Sequence, residues 1–427
     1  MKLAIVGAGW AGMAAAVAAT QAGHEVTVFE AARTLGGRAR GLQGQLPDGR
    51  SVALDNGQHI MIGAYTETLR LMQEVGVDTQ TALRRLPLTL KFPDGAGLQL
   101  PRLPVPLDVL AGILRNGSWP LPERLGLLRA ALGWKLRGFE CEAQLSVADL
   151  CRQLGPHVMQ ELIEPLCVSA LNTPAHQASA QVFLRVLRDA LFGVRGGSQL
   201  LLPRIDLSTL FPQAAARWLA QRGASVQTGT RISTLQSGDG RWMLDGQGFD
   251  GVLLACPSTE AARLVDGAAG PQAEPAALQA WAATAAALRF EAITTVYAWA
   301  AEARLPAPML ALRHGTQHPA QFVFDRGQLD GSTGLLAFVV SASRGERETI
   351  QAQVLQQARS QLGLDLQAVQ TVVEKRATFA CTPALQRPAQ TIAPGLLACG
   401  DYVAGPYPAT LEGAVRSGLA AAQALVR

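Results

Sequence analysis

Gly7, Gly9 and Gly12 stand in the spacing G-x-G-x-x-G, and the carboxylate of Glu30 follows eighteen residues after the last of them. These residue types in this order could hold a phosphorylated dinucleotide. Gly7 permits a tight turn, Gly9 lets the backbone approach a pyrophosphate, and Gly12 lets a helix lie close against a strand. A helix starting at Ala8-Gly9-Trp10-Ala11 offers free N–H groups to the phosphates. Glu30, followed by Ala31, can accept from ribose hydroxyls. The next run, Arg33-Thr-Leu-Gly36-Gly37-Arg38-Ala-Arg40, separates two cofactor classes. A pyridine nucleotide would end its contacts near Glu30. A flavin nucleotide is longer, and backbone N–H groups at Gly36-Gly37 with the Arg38 guanidinium could reach its phosphate–ribityl part. The competing reading is a surface loop that carries arginines.

A second polar cluster is Asp55-Asn-Gly-Gln-His59, followed by the apolar Ile60-Met-Ile62. It suits a polar group at the wall of an apolar cavity. His59 is a candidate acid, since an imidazole near its ordinary pKa is partly protonated in neutral solution, and Asp55 is its candidate support. The competing readings are a turn secured by Asp55 and a histidine that satisfies buried backbone. Tyr407 is a third candidate catalytic group, with packing as its alternative role. The other histidines show no metal-ligand spacing, and no Ser-His-Asp pattern occurs.

The elements that must position these groups are legible as strand and helix patterns. Residues 2–6 form an apolar strand, an Ala-rich helix follows, and residues 25–30 form a second strand that ends in the acid. The stretch from Lys2 to Gln21 also has the outline of a secretory leader. It lacks a Leu-rich centre, however, and its glycines keep dinucleotide spacing. Near the other end, Leu396-Leu-Ala-Cys-Gly400-Asp401 is an apolar strand whose terminal carboxylate could accept from ribityl hydroxyls. It leads through Gly405-Pro-Tyr407-Pro-Ala-Thr410-Leu411-Glu412-Gly-Ala414 into another Ala-rich helix. The N-terminus of that helix would stabilise negative charge on a reduced flavin ring.

The combination of GAGWAG, Glu30, LGGRAR and GD…YPATLEGAVRSG resembles the flavin amine oxidase and phytoene desaturase superfamily along the whole chain. Within it, the run DNGQHIMIGAY at residues 55–65 is most similar to the hydroxysqualene dehydroxylases of hopanoid-making bacteria. The resemblance implies an α/β protein with a Rossmann-type FAD domain, discontinuous over 1–60, 190–260 and 380–427. An α+β substrate domain with an antiparallel sheet is implied over 61–189 and 261–379. It also implies that the main chain at Arg231 meets the adenine. The reaction implied is reductive removal of an allylic hydroxyl from a long apolar isoprenoid, with reduced FAD as hydride donor. Such a reaction needs an acid for the leaving hydroxyl and a site that excludes water. An isoprenoid desaturase would run electrons the other way, and the sequence does not display their direction. An amine oxidase and a flavin-free prenyl-lipid carrier are the remaining alternatives.

Composition agrees with an extended apolar interior: 48% of the residues are hydrophobic and 16% charged. A net charge of +4 gives no argument for nucleic acid. No run is long and apolar enough to span a bilayer. Six cysteines without C-x-x-C spacing read as core thiols in a reducing cytoplasm. The segment 101–138 carries Arg102, Arg115, Arg124, Arg129, Lys135 and Arg137 against Asp108 and Glu123. Leu121, Leu125, Leu128, Leu132 and Leu136 share one helical stripe there. The stripe either touches a membrane surface, with Trp119 and Trp134 as interfacial rings, or packs into the core. Strands are expected at 290–300, 321–325 and 335–342 as one wall of the substrate cavity.

Overall fold

The strands Lys2–Val6, Gly251–Leu254 and Leu396–Ala398 contain hardly a polar side chain, as strands covered on both faces must. They are neighbours in the middle of one six-stranded sheet. Glu25–Glu30 and Ser225–Thr228 extend it beyond Lys2–Val6, and Thr391–Ala393 forms the other edge. Every neighbouring pair is parallel except the last. This computed structural model describes residues 1–104, 106–238, 240–271 and 274–426, so Val105 of the 101–138 segment lies outside the described residues.

Two Ala-rich helices, Trp10–Gln21 and Leu411–Val426, pack against each other on this sheet. Their approach depends on missing side chains. A Cβ on Gly418 would lie 2.2 Å from the Ala11 carbonyl oxygen, and one on Gly12 would lie 1.9 Å from the Gly7 carbonyl oxygen.

A separate five-stranded antiparallel sheet runs in the order Met309–Ala311, Phe322–Asp325, Leu335–Ser343, Phe290–Trp299, Gln367–Phe379. The three expected strands are here. The two others were not singled out, one because it is only three residues long and the other because polar residues interrupt its apolar pattern. Side chains alternate as a strand requires. Val323, Phe338 and Val340 pack outward in a cluster with helix Arg347–Leu362, whereas Phe322, Phe324 and Val339 turn to the opposite side, into a cavity.

Helices Leu107–Leu114, Leu121–Leu136, Glu164–Leu171 and Ala180–Arg188 build a third region. Four of the five stripe leucines, Leu121, Leu125, Leu132 and Leu136, are between 52% and 79% exposed, while Leu128 is half-buried against the core, so most of the stripe faces outward. The opposite face, with Leu127 and Trp134, is buried. Both tryptophans depart from the expectation of interfacial rings. Trp119 is also buried, because the Glu161 carboxylate accepts its indole N–H at 2.8 Å.

A buried charge cluster ties the strand ending at Asp55 to the antiparallel sheet. Arg326 is enclosed, paired with Asp330, and 3.6 Å from Asp55; it also donates to Gln58 at 3.0 Å and to the Ala53 carbonyl at 3.3 Å. The Tyr297 hydroxyl, in the antiparallel sheet, donates to the Asp55 carbonyl and accepts from the Asp55 N–H. Asp330 is the nearer counter-ion, so Arg326 only partly offsets the burial of Asp55. Burial pushes the Asp55 carboxyl up to about 7, against the lowering effects of Arg326 and the Leu207 N–H.

Two outcomes follow from this joint. Arg326→Met should cost about 3–5 kcal/mol in denaturant unfolding, because it strands buried carboxylates. Asp55 favours the folded state fully below its unfolded pKa of about 3.9, and that contribution is lost as pH rises through about 7. Asp55→Asn should therefore gain stability relative to the parent as pH increases from 5 to 8. A difference that does not change with pH would contradict this.

Candidate active site

A cavity of about 980 Å³ runs between the parallel sheet, the antiparallel sheet and the helical region. Its polar half collects Gly7, Gly9, Trp10, Ala11, Glu30, Ala31, Gly36, Gly37 and Arg38 from the N-terminal end and Arg231 from the middle of the chain. From the C-terminal end come Gly400, Asp401, Thr410, Leu411, Glu412 and Ala414. Ala8 and Gly12 are not in the wall. The Ala8 N–H donates to Glu30 Oε2 at 2.8 Å, and Gly12 serves helix packing.

A flavin dinucleotide fits this half on two observations. A Cβ on Gly9 would meet no protein atom within 4 Å and would instead project into the cradle, leaving space for a phosphate. The Tyr402 hydroxyl is buried in the wall with no hydrogen-bond partner in the protein, so a polar group is awaited there. The Trp10–Gln21 helix begins at Gly9 without a side-chain cap, which leaves its first N–H groups for an anion. Gly7 at φ +114° and Gly36 at φ +111° form the turns that only glycine accepts readily.

Several side chains are engaged differently from the sequence expectation. Arg38 is paired with Asp401 and also donates to the Ala377 carbonyl at 3.2 Å. This pair ties the two ends of the chain together at the cavity wall. The Glu30 carboxylate accepts from the Ala8 and Ala32 N–H groups, both at 2.8 Å, which aims it along the wall. Glu412 lines the cavity, but its carboxylate turns to the start of helix Thr66–Glu74. There it accepts from the N–H groups of Glu67 and Thr68, the Thr68 hydroxyl and Arg416, leaving only its main chain for a cofactor. Thr410 caps the C-terminal helix, its hydroxyl oxygen accepting from the Gly413 N–H at 3.0 Å. The Arg231 side chain leans toward Glu260 at 3.5 Å, and Thr230 and Ile232 accompany it in the wall.

The apolar half is lined by residues such as Leu90, Leu187, Met309, Phe322, Phe324 and Val339. His59 and Tyr407 lie in the wall of the same cavity; Asp55 does not. Asp55 therefore does not support His59. Its carboxylate accepts from the Leu207 N–H at 2.8 Å and faces Arg326, because a buried charge turns to its strongest donors. His59 Nδ1 lies 2.8 Å from the Gly57 carbonyl oxygen, so Nδ1 carries the proton. Burial lowers the His59 pKa, with the Gly57 bond opposing it. The neutral ring thus has a bare Nε2: a hydrogen-bond acceptor rather than the resting acid expected from sequence.

Tyr407 has the complementary character. Arg185 donates to its oxygen at 3.0 Å, which leaves the phenolic hydrogen free to donate. The Arg185 and Arg416 guanidinium groups lie 4.8 Å and 5.6 Å from the ring centroid, and Asp189 Oδ2 holds Arg185 at 2.8 Å. Burial raises the Tyr407 pKa, while Arg416 and Arg185 oppose that rise and would stabilise a phenolate. Arg185 and Asp189 escaped sequence reasoning, since an i,i+4 ion pair ordinarily marks a solvated helix face. Asn56 escaped too. Its side chain accepts from the Arg40 N–H and donates to the Arg38 carbonyl and Glu374, fixing the loop that presents Arg38. The dipeptide Asn56-Gly57 was its visible signal.

Known proteins resemble the chain at three levels. A hydroxysqualene dehydroxylase from Zymomonas mobilis is 27% identical, the match covering 98% of this chain and 97% of that one. A zeta-carotene desaturase from Synechocystis is 40% identical, but over only 20% of this chain and 16% of its own. The crystal structure of an oxidoreductase from Methanosarcina mazei superposes with a TM-score of 0.74 at 16% identity, covering 99% of this chain and all of that one. Residues 10–426 match the family of flavin containing amine oxidoreductases. FAD is accordingly the cofactor, and the chain is an oxidoreductase that belongs to this family.

Proposed function

We propose that this flavoprotein is a hydroxysqualene dehydroxylase that removes an allylic hydroxyl from a long apolar isoprenoid at a membrane surface. The observation that carries the reading is the near-complete alignment with a dehydroxylase, set beside a cavity that joins a flavin cradle to an apolar wall. The reduced flavin, when bound, supplies a hydride. The protein must then deliver one proton to the departing hydroxyl, so that C–O cleavage releases water and the hydride forms the new C–H bond. Tyr407 is suited to give that proton: its hydrogen is free and Arg185 and Arg416 flank the resulting phenolate. It is half-buried, so solvent can restore the proton. His59 Nε2 can accept from the substrate hydroxyl and orient it. Phe322, Phe324 and Val339 help keep water away from a developing allylic cation. Glu30, Gly9 and the helix start at Trp10 hold the dinucleotide.

The desaturase reading draws on matches that cover a minority of the chain.

Docking on anionic lipid is supported by the outer surface. Of the ten large hydrophobic side chains that stand exposed among the described residues, eight are Leu103, Leu107, Leu110, Leu114, Leu121, Leu125, Leu132 and Leu136. Arg102, Arg115, Arg129, Lys135 and Arg137 are exposed among them. The segment's two acids are engaged by protein groups: Asp108 with Ser198 and the Val109 N–H, Glu123 with His157 and Val158. The lipid-facing charge within 101–138 is therefore positive. No described helix is long and apolar enough to cross a membrane.

Tyr407→Phe should slow flavin reoxidation by hydroxysqualene about 10²–10⁴-fold at unchanged FAD content; a rate within threefold of the parent would remove Tyr407 as acid. Glu30→Ala should lower the FAD retained through gel filtration, and full retention would refute its role. Leu107→Gln, Leu125→Gln and Leu132→Gln together should cut binding to phosphatidylglycerol vesicles at least tenfold. Undiminished binding by the folded triple variant would contradict lipid contact through these leucines.

A further inference from the structure

Helix Leu107–Leu114 separates the exposed leucines from a second cavity of about 510 Å³. Leu107, Leu110 and Leu114 point outward, while Ala111, Gly112 and Arg115 line the cavity from above. The helix lies tightly on its floor: a Cβ on Gly112 would come 2.6 Å from Leu100 Cδ2. Buried Asp108, on the same helix, accepts from the Ser198 hydroxyl at 3.3 Å, and Ser198 belongs to the wall of the reaction cavity. One helix thus faces the outer surface, lines the second cavity and is hydrogen-bonded to the wall of the reaction cavity.

The two cavities are neighbours. Leu200 and Met309 line both, and both are buried, so together they form the partition. Leu200 sits on strand Leu200–Pro203 and is fixed by its sheet; Met309 has an unbranched, readily adapting side chain. Space gives the partition a purpose. Cavities of roughly 300–1,000 Å³ ordinarily enclose one drug-sized ligand. The reaction cavity, at about 980 Å³, must hold a flavin dinucleotide as well as substrate. A long hydrocarbon needs further apolar volume, and the adjoining cavity, walled by Leu86, Pro87, Leu100 and Pro308, offers it. Arg102 and Arg115 stand at its rim, on the side that carries the exposed leucines.

We propose that the second cavity is an access vestibule, through which a long apolar hydrocarbon passes from an anionic lipid surface beneath helix Leu107–Leu114 into the reaction cavity, with Met309 moving aside from Leu200. This rests on the reading of the substrate as a water-insoluble isoprenoid, but not on the direction of its redox chemistry.

The test uses FAD-loaded Ala111→Cys protein, whose new thiol faces the vestibule and not the reaction cavity. It is treated with benzyl methanethiosulfonate and mixed with phosphatidylglycerol vesicles that contain tritiated squalene. Vesicles are then floated away, and squalene retained by the protein is counted per protein that had bound vesicles. The parent protein, given the same reagent, controls for its own cysteines, five buried and Cys141 half-buried. The benzyl group should slow uptake at least tenfold, and dithiothreitol should restore it. Uptake unaffected by the label, or no uptake by the unlabelled variant, would overturn the proposal. Uptake that is blocked reversibly while hydroxysqualene fails to reoxidise the reduced parent would uphold the vestibule and remove the dehydroxylase reading.

Discussion

The close contact of two backbones, Gly12 against the Gly7 carbonyl and Gly418 against the Ala11 carbonyl, underlies everything else in this molecule. It lets the first helix sit on the first strand and the last helix sit on the first. The two ends of a 427-residue chain are thereby brought to one cavity, where Arg38 and Asp401 pair across a separation of more than 360 residues. A methyl group at either glycine would meet a carbonyl oxygen at about half the ordinary contact distance. No side-chain rotation can relieve such a clash, because the obstacle is backbone. The cofactor half of the site is therefore only as well formed as this packing.

That dependence explains why the cofactor half was legible in the sequence. Close approach and tight turns demand glycine, and glycines at fixed spacing can be read without knowing what surrounds them. Strand runs such as Leu396-Leu-Ala were equally plain. Residues whose role depends on a distant partner were not. Asp55 looked like support for a catalytic histidine until Arg326 appeared beside it, and the engagement of the Glu412 carboxylate depends on helix Thr66–Glu74, which offers its N–H groups. Trp119 could not be assigned to the interior while Glu161, the acceptor for its indole, lay 42 residues away and unrecognised. The leucine stripe showed a helix with one apolar side, but periodicity does not say whether protein or solvent faces that side.

The apolar half has a consistent physical logic with the outer surface. On the proposed reading, the water-insoluble substrate calls for both a dry cavity and a lipid-facing door. The antiparallel sheet supplies the dry wall by strict alternation, sending Phe322 and Phe324 inward while Val323 packs against helix Arg347–Leu362. The helices at 107–136 supply the outer face, and their acids are consumed internally, so cations dominate outside. Two polar groups of opposite character line the cavity: His59, held as an acceptor by Gly57, and Tyr407, held as a donor by Arg185. On the proposed reading, the first would orient the substrate hydroxyl and the second protonate it.

The central claim is that electrons leave the flavin for an allylic alcohol. The most direct measurement is anaerobic: the flavin is reduced chemically, hydroxysqualene is added, and absorbance is followed while products are identified by gas chromatography–mass spectrometry. The account predicts flavin reoxidation with one equivalent of squalene formed. A flavin that stays reduced, together with an oxidised enzyme that bleaches on mixing with isoprenoid hydrocarbons, would contradict it and establish a desaturase.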